Sequence, residues 1–239
     1  MTRMTKNVLA KIDPKMTNIV KAGPFAGMKL SNEGWWGGSD KAARLLGSYE
    51  DSIQEKIYLL SEEITAANFV DIGAADGYFA IGVSRFPSIE KVFAFEVSEI
   101  GRNSLQHNAL INDIHNIIID GLADVEKISI IEDQNERLIY LIDIEGAEYE
   151  LLSKDFLSVV RNSHLIVELH PFLVANGDSK QSSLLNRCED YFHINFIDHF
   201  PKPRPTDDML GLNEDEVLLA YSEGRAVPMQ WLFLTPRSD

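Results

Sequence analysis

Acidic residues recur where short apolar runs end. Asp71 follows NFV and opens Asp71-Ile72-Gly73-Ala74-Ala75-Asp76-Gly77-Tyr78-Phe79, and Glu96 closes KVFAFE. Asp120-Gly121 closes NIIID, and Asp143-Ile144-Glu145-Gly146-Ala147-Glu148 follows LIYLI. These residue types suit a nucleoside. A glycine turn between strand and helix lets backbone N–H groups approach a ligand, since glycine has no Cβ in the way. A carboxylate ending the next strand, about 20 residues on, can accept both ribose hydroxyls. One at the third strand end can accept the adenine amino group. Singly, each has an ordinary explanation in a structural turn, a helix-capping Glu or an Asx turn. Four acid-bearing ends in one ordered series are more specific. The dinucleotide fingerprint G-x-G-x-x-G is not met, because position 75 is Ala and the third glycine is missing. That counts against a nicotinamide-dependent oxidoreductase.

A second group could move a proton. In Ile166-Val167-Glu168-Leu169-His170-Pro171 the histidine ends a fifth apolar run, beside the expected position of Asp143. An unperturbed imidazole pKa of ~6.5 suits deprotonation of a hydroxyl near neutrality. Glu168 and His170 share one strand face, as do Asp143 and Glu145, because side chains repeat every second residue. The four could instead hold a divalent metal that acidifies a hydroxyl. Nothing in their spacing demands a metal, so base or polar orienter ranks first and no metal is expected. A structural His170 is the bland alternative. His199, opening a long loop, is a second base candidate, and Arg204, Asp207 and Asp208 in that loop could shape specificity. The single cysteine, Cys188 in LLNRCEDYF, reads as a small buried hydrophobe rather than a nucleophile.

These residues need elements to hold them. Unalternating apolar runs at 68–73, 91–96, 116–120, 137–144, 163–170, 193–200 and 229–236 predict strands buried on both faces. Helical spacing is expected at 76–86, 99–111, 147–160 and 179–190, while KISIIE could be a short strand or a helix end. The alternation predicts an α/β fold, three-layer and doubly wound, with a mostly parallel seven-stranded sheet. Ligands of such sheets bind beyond the carboxyl ends of the strands. The segment 199–228 breaks the rhythm and predicts a long loop, with room for one helical turn, overhanging a site. Residues up to about 45 are rich in turn formers and predict an irregular lead-in, followed by a helix carrying Ile53, Ile57, Leu60 and Ile64. The division is therefore a 1–67 extension and a 68–239 domain.

Composition narrows the partners. With 239 residues and 45% hydrophobic content, the chain can bury a sizeable core. A net charge of −15 repels phosphate backbones and anionic lipid surfaces, and the only basic cluster is the modest pair Lys202 and Arg204. A small molecule or glycan is the expected substrate, with no nucleic acid and no membrane. No apolar run reaches the ~18 residues of a membrane-spanning helix. No disulfide can form within the chain, which fits a cytoplasmic location. The oligomeric state is not legible.

Taken together, DIGAADGYFA, FAFEVSEIGRNSLQHNALIN, LIDIEGAEYELL and IVELHP resemble the FkbM-type S-adenosylmethionine-dependent methyltransferases, in order and spacing, over about residues 68–172. The D-x-E-G-x-E piece followed by E-L-H is the specific part. The resemblance implies S-adenosyl-L-methionine as cofactor, with Asp71, Gly73, Ala74, Asp76, Gly77 and Tyr78 about its methionine end. It implies Glu96 on the ribose, Asp120 and Gly121 bordering the adenine, and Asp143 nearest the sulfonium; His170 and Glu168, expected beside Asp143 from their strand position, are with it the catalytic candidates. It also implies O-methylation of a sugar, glycan or small metabolite; an N-methyltransferase or a non-catalytic S-adenosylmethionine-binding protein are the alternatives. Three positions depart from the family's pattern: Ala75 stands for Asn, Val97 for Pro and Leu141 for Lys. The last removes a buried cation near Asp143. In the front segment, Tyr49, Glu50 and the Trp35-Trp36 pair could form a lid, although packing is the commoner role of such aromatics.

Overall fold

The computed structural model describes residues 3–16, 18–31, 40–64, 67–200, 211–225 and 227–237. Two helices come first, α1 (Arg3–Met16) and α2 (Lys41–Leu46), then α3 (Asp51–Ile64). The alternating part follows: β1 (Ala67–Ile72), α4 (Tyr78–Ser84), β2 (Ile89–Phe95), α5 (Glu99–Ile111), β3 (Ile117–Asp120), α6 (Val125–Gln134) and β4 (Leu138–Ile142). The chain ends with α7 (Glu148–Leu151), α8 (Lys154–Val159), β5 (His164–Leu169), α9 (Gly177–Cys188), β6 (Phe192–Ile197), α10 (Glu214–Tyr221) and β7 (Gln230–Pro236).

The seven strands form one sheet in the order β3-β2-β1-β4-β5-β7-β6. Neighbours from β3 to β5 are parallel, and β7 runs antiparallel to both β5 and β6. The order reverses between β1 and β4, so ligand space is expected at their tips. Period-two alternation builds the three layers. Phe69 turns into a core shared with α3, α4 and α5, while Val70 and Ile72 turn into one shared with α6, α8 and α9. The expected sheet is thus present.

One open reading is settled and two local expectations are revised. KISIIE lies inside α6, which Asp124 starts by accepting the Lys127 N–H. The helix expected over 147–160 breaks in two, because Ser153 is extended and caps α8 through Phe156 N–H. The lead-in is also more ordered than its turn residues suggest. Val8 and Ile12 of α1 pack with Leu45, Leu46, Ala220 and Tyr221 in a third apolar cluster. Within it, α10 is two turns long and opens with a capping box between Asn213 and Glu216.

Phe25 fastens the extension to the domain. Its ring meets Tyr78, Phe79 and Phe86, and it fits only because position 82 is glycine, where a Cβ would lie 2.5 Å from the ring. Burying such a ring contributes about 2–3 kcal/mol. No described helix is long and apolar enough to cross a membrane.

Candidate active site

Gly73 sets the geometry at the switch point. Its φ is +96°, and an added Cβ would fall 1.8 Å from the carbonyl oxygen of Asp143. Only glycine lets the tip of β4 approach this closely, and the approach is fixed by Asp143 N–H donating to Ile72 O at 3.0 Å. After Asp143 the chain turns through two left-handed residues, Glu145 and Gly146. Asp143 is thereby held over the turn that follows β1.

Beyond the ends of β1 to β4 lies a cleft of about 650 Å³. Its floor and walls are mostly apolar, with Ile72, Phe95, Val97, Leu122 and Ile144 prominent. Its charged lining is entirely acidic: Glu96, Asp124, Asp143, Glu145 and Glu150. No lysine, arginine or histidine lines it among the described residues. The glycine turn is not a phosphate cradle either. Gly73 and Ala74 N–H both donate to Phe95 O, Gly77 N–H donates to Ala74 O, and Ala75 N–H donates to the Glu96 carboxylate at 3.0 Å. These four N–H groups are thus spent within the fold.

Glu96 is almost buried, yet it lines the cleft. Its second oxygen accepts Ser98 N–H at 2.7 Å, so the carboxylate is fixed in position at the end of β2. Asp120 does not join it. Its carboxylate accepts Gly121 N–H and pairs with Lys127 at 2.8 Å, turned away from the cleft, which Gly121 and Leu122 border instead. Asp76 and Tyr78 also lie outside the main cleft. Asp76 gives both oxygens to Arg44, and Tyr78 packs edge-on against Phe25 and Tyr49. Gly77 is the left-handed residue that starts α4 and lines neither cavity.

A smaller cavity of about 30 Å³ adjoins the cleft and shares Gly73, Ala75 and Asp143 with it. Asp71, Ala74, Arg44, Tyr49 and Leu141 are among its walls. The Arg44 guanidinium comes from the extension and stacks over the Tyr49 and Tyr78 rings at 5.0 and 5.1 Å. It brings a cation into the cavity beside Leu141. One oxygen each of Asp71 and Asp143 is buried without a hydrogen-bond partner. Burial, reinforced by the charge of Asp143, pushes the Asp71 carboxyl up to about 8. Burial pushes Asp143 up to about 6 against the opposing pull of Glu168 and His170.

His170 occupies a different place from that of an exposed base. It is 1% exposed and lines neither cavity. Its Nε2 faces Glu168 Oε2 at 3.3 Å and Asp143 Oδ1 and Glu145 Oε2 at 3.6 Å each, and its Nδ1 faces Glu148 Oε1 at 3.4 Å. Burial works against a proton on His170, but Glu148 and Asp143 outweigh it and raise its pKa. Burial and the neighbouring Asp143 hold Glu168 well above the ordinary carboxylate range.

Three residues that sequence reasoning left unassigned hold this cluster. Glu148 accepts the N–H groups of Gly146 and His170, both at 2.8 Å. Arg225 joins Glu168 at 2.6 Å, Glu223 at 2.7 Å and Glu50 in a shorter contact. Glu223 Oε1 also accepts from His199 Nε2 at 2.7 Å, and the other ring nitrogen meets Ser52 Oγ at 2.7 Å. Both His199 nitrogens are therefore engaged in packing the segment that follows β6. Burial pushes the Cys188 thiol up to about 12, which suits an inert core residue. Trp35, Trp36, Lys202, Arg204, Asp207 and Asp208 lie outside the described residues.

No protein-family model matches the chain, and no curated protein matches it. Solved structures do. The methyltransferase domain of bacterial-CtHen1-CN is 14% identical with a TM-score of 0.50, over 77% of this chain and 97% of that one. A protein assigned as an S-adenosylmethionine-dependent methyltransferase from Listeria monocytogenes is also 14% identical at a TM-score of 0.50, over 80% of this chain and all 100% of that one. The likeness is one of fold. The chain has the Rossmann-like methyltransferase fold.

Proposed function

We propose that the chain is an S-adenosylmethionine-dependent methyltransferase of FkbM type, acting on a hydroxyl of a sugar, glycan or other small metabolite. The observation that carries this is the charge of the cleft. A volume of about 650 Å³ is within the range of cofactor sites, roughly 300–1,000 Å³. Its charged lining is five carboxylates, and the N–H groups of Gly73, Ala74, Ala75 and Gly77 in the glycine turn are bonded within the fold. A pyrophosphate would be repelled there. A nucleoside bearing a sulfonium is attracted, and the unpartnered oxygens of Asp71 and Asp143 suit a cationic end.

When bound, the cofactor supplies an electrophilic methyl group. The chain supplies alignment, exclusion of water and a place for the acceptor's proton. Glu96 accepts from the ribose hydroxyls while its backbone donors keep it from swinging away. Gly121 and Leu122 flank the base in the role expected of Asp120 and Gly121. Gly73 and Ala74 border the methionine end with Asp71. Asp143 and Glu145 stand at the acceptor end, with Glu168 and His170 behind them. His170 acts there through the carboxylates rather than as an exposed base. The hydroxyl acceptor and the sugar-like class rest on the resemblance in DIGAADGYFA, LIDIEGAEYELL and IVELHP. The acidic surface and acidic lining agree with an acceptor that is not a nucleic acid.

Thermal unfolding with nucleotide ligands tests the cofactor. S-adenosylhomocysteine raises the melting temperature, by RT ln(1 + [L]/Kd) in free energy, and NAD does not. Absence of any shift with S-adenosylhomocysteine up to millimolar concentration overturns the reading.

A further inference from the structure

We infer that Asp143, Glu168 and His170 form a divalent-cation site at the acceptor end of the cleft. The inference deepens the proposed reaction and rests on it for the role of the metal, but not for its binding. Ligand atoms of these three residues all lie within 4.8 Å of one another. The donor set is mixed, one imidazole nitrogen with carboxylate oxygens, which suits Zn²⁺ or Mn²⁺ better than Ca²⁺.

The spacing carries the argument. A buried imidazolium satisfied by carboxylates makes charge-assisted hydrogen bonds of about 2.7–2.9 Å. His170 makes none. Its Nε2 stands 3.3 Å from Glu168 Oε2 and 3.6 Å from both Asp143 Oδ1 and Glu145 Oε2, although the ring is only 1% exposed. Two ligands each ~2.1 Å from one tetrahedral ion are ~3.4 Å apart. The groups therefore sit at the edge lengths of a coordination shell. Asp143 Oδ1 is itself buried without a hydrogen-bond partner.

The supporting shell has the form that metal sites require. A ligating histidine usually presents its other nitrogen to a carboxylate, which fixes its tautomer. His170 Nδ1 is nearest to Glu148 Oε1, at 3.4 Å and without a hydrogen bond, so Glu148 must close on it as the ring is ligated; Glu148 itself is locked by the Gly146 and His170 N–H groups. Glu168 is oriented likewise: Arg225 holds Oε1 at 2.6 Å, leaving Oε2 directed at His170 Nε2. Three protein ligands leave at least one position open, as in catalytic rather than structural sites. Asp143 and Glu145 line the cleft, so the open position is offered to the acceptor. A hydroxyl ligated there would be acidified by the cation; its proton leaves to solvent or to Glu145 as the oxygen attacks the methyl carbon and the carbon–sulfur bond breaks, its electron pair staying on the sulfur of S-adenosylhomocysteine.

The test is equilibrium dialysis of the full chain, stripped with chelator, against Zn²⁺ and against Mn²⁺, with bound metal measured by elemental analysis. One equivalent of one of these ions is expected to be retained. Glu168→Gln and Asp143→Asn, close in shape to the wild-type residues, should each weaken retention at least tenfold, and Glu148→Gln by 10- to 100-fold through the imidazole. The S-adenosylhomocysteine thermal shift is read on every variant and reports both folding and the cofactor site. Metal retained at wild-type affinity by Glu168→Gln, or no metal retained by a wild-type chain that shows the shift, overturns the site. Metal retained without any shift overturns the cofactor reading and leaves the site standing.

Discussion

Glu96 has two duties that one substitution separates. Its carboxylate accepts Ala75 N–H at 3.0 Å and Ser98 N–H at 2.7 Å, and the side chain is 7% exposed. Glu96→Gln keeps the shape but turns an NH₂ towards one of those donors. One hydrogen bond to a charged acceptor is lost, at a cost of about 1.5–3 kcal/mol. For a chain of this size that lowers the melting temperature by roughly 3–12 °C. The ribose then loses a charged acceptor, for a further ~1–3 kcal/mol of cofactor binding, or about 5- to 150-fold in Kd. Calorimetric titration with S-adenosylhomocysteine at a temperature well below either transition reads the second effect apart from the first. If Glu96→Gln lowers the melting temperature but leaves Kd within twofold of wild type, Glu96 is only a brace for the glycine turn. The assignment of β2's tip to the ribose then fails, and with it the orientation of the ligand in the cleft.

Two further perturbations test the surroundings. Asp71 has its carboxyl pushed from 3.8 to about 8 in the fold, so between these values the unfolded chain has released a proton that the native chain keeps. Stability without ligand therefore falls as pH rises from 4 to 8, by up to ~1.4 kcal/mol per pH unit, and levels off above it. Asp71→Asn removes this slope and becomes the more stable form near pH 8; parallel urea titrations of the two chains whose difference stays constant over pH 5–8 would contradict the burial of a charged Asp71. Arg44 is buried between Asp76 at 2.9 Å and Asp40 at 3.0 Å. Arg44→Met strands two carboxylates and should cost about 3–5 kcal/mol in thermal unfolding, part of which returns on adding Asp76→Asn; no loss in the single variant would mean that water already solvates the pair.

The sheet and the order of its acidic tips were readable because their causes are local. A strand covered on both faces needs a continuous apolar run, and LIYLI and LIVEL are such runs. Gly73 was readable for the same reason, although for a different purpose: it admits the Asp143 carbonyl rather than a ligand. What escaped was decided by partners far along the chain. Asp120 has the expected position, but Lys127 sits one turn into α6 and takes its carboxylate. Arg44 and Arg225 carry no local signal, since an arginine's role depends on which acids the fold brings to it. The pairs Arg44–Asp76 and Arg225–Glu168 span separations of 32 and 57 residues. His170 was rightly placed beside Asp143, yet its exposure could not be read, because residues 223–225 cover Glu168 from beyond an intervening strand and loop.

Arg225 makes the two additions to the sheet a single device. Glu50 belongs to the extension, Glu223 to the segment after α10, and Glu168 to β5, and one guanidinium contacts all three. Such a network adds little net stability, because desolvating its charges offsets most of their attraction. Its effect is on geometry. Displacing Arg225 would leave the buried carboxylates of Glu50, Glu168 and Glu223 without their shared cation. Glu168 is the member nearest Asp143 and His170: Arg225 contacts its first oxygen and its second lies 3.3 Å from His170 Nε2. The extension that seemed a lead-in thus reaches the chemistry at one remove, through Glu50, Arg225 and Glu168. In the proposed reaction, residues 49–50 and 223–225 would thereby bear on where the acceptor's oxygen is held.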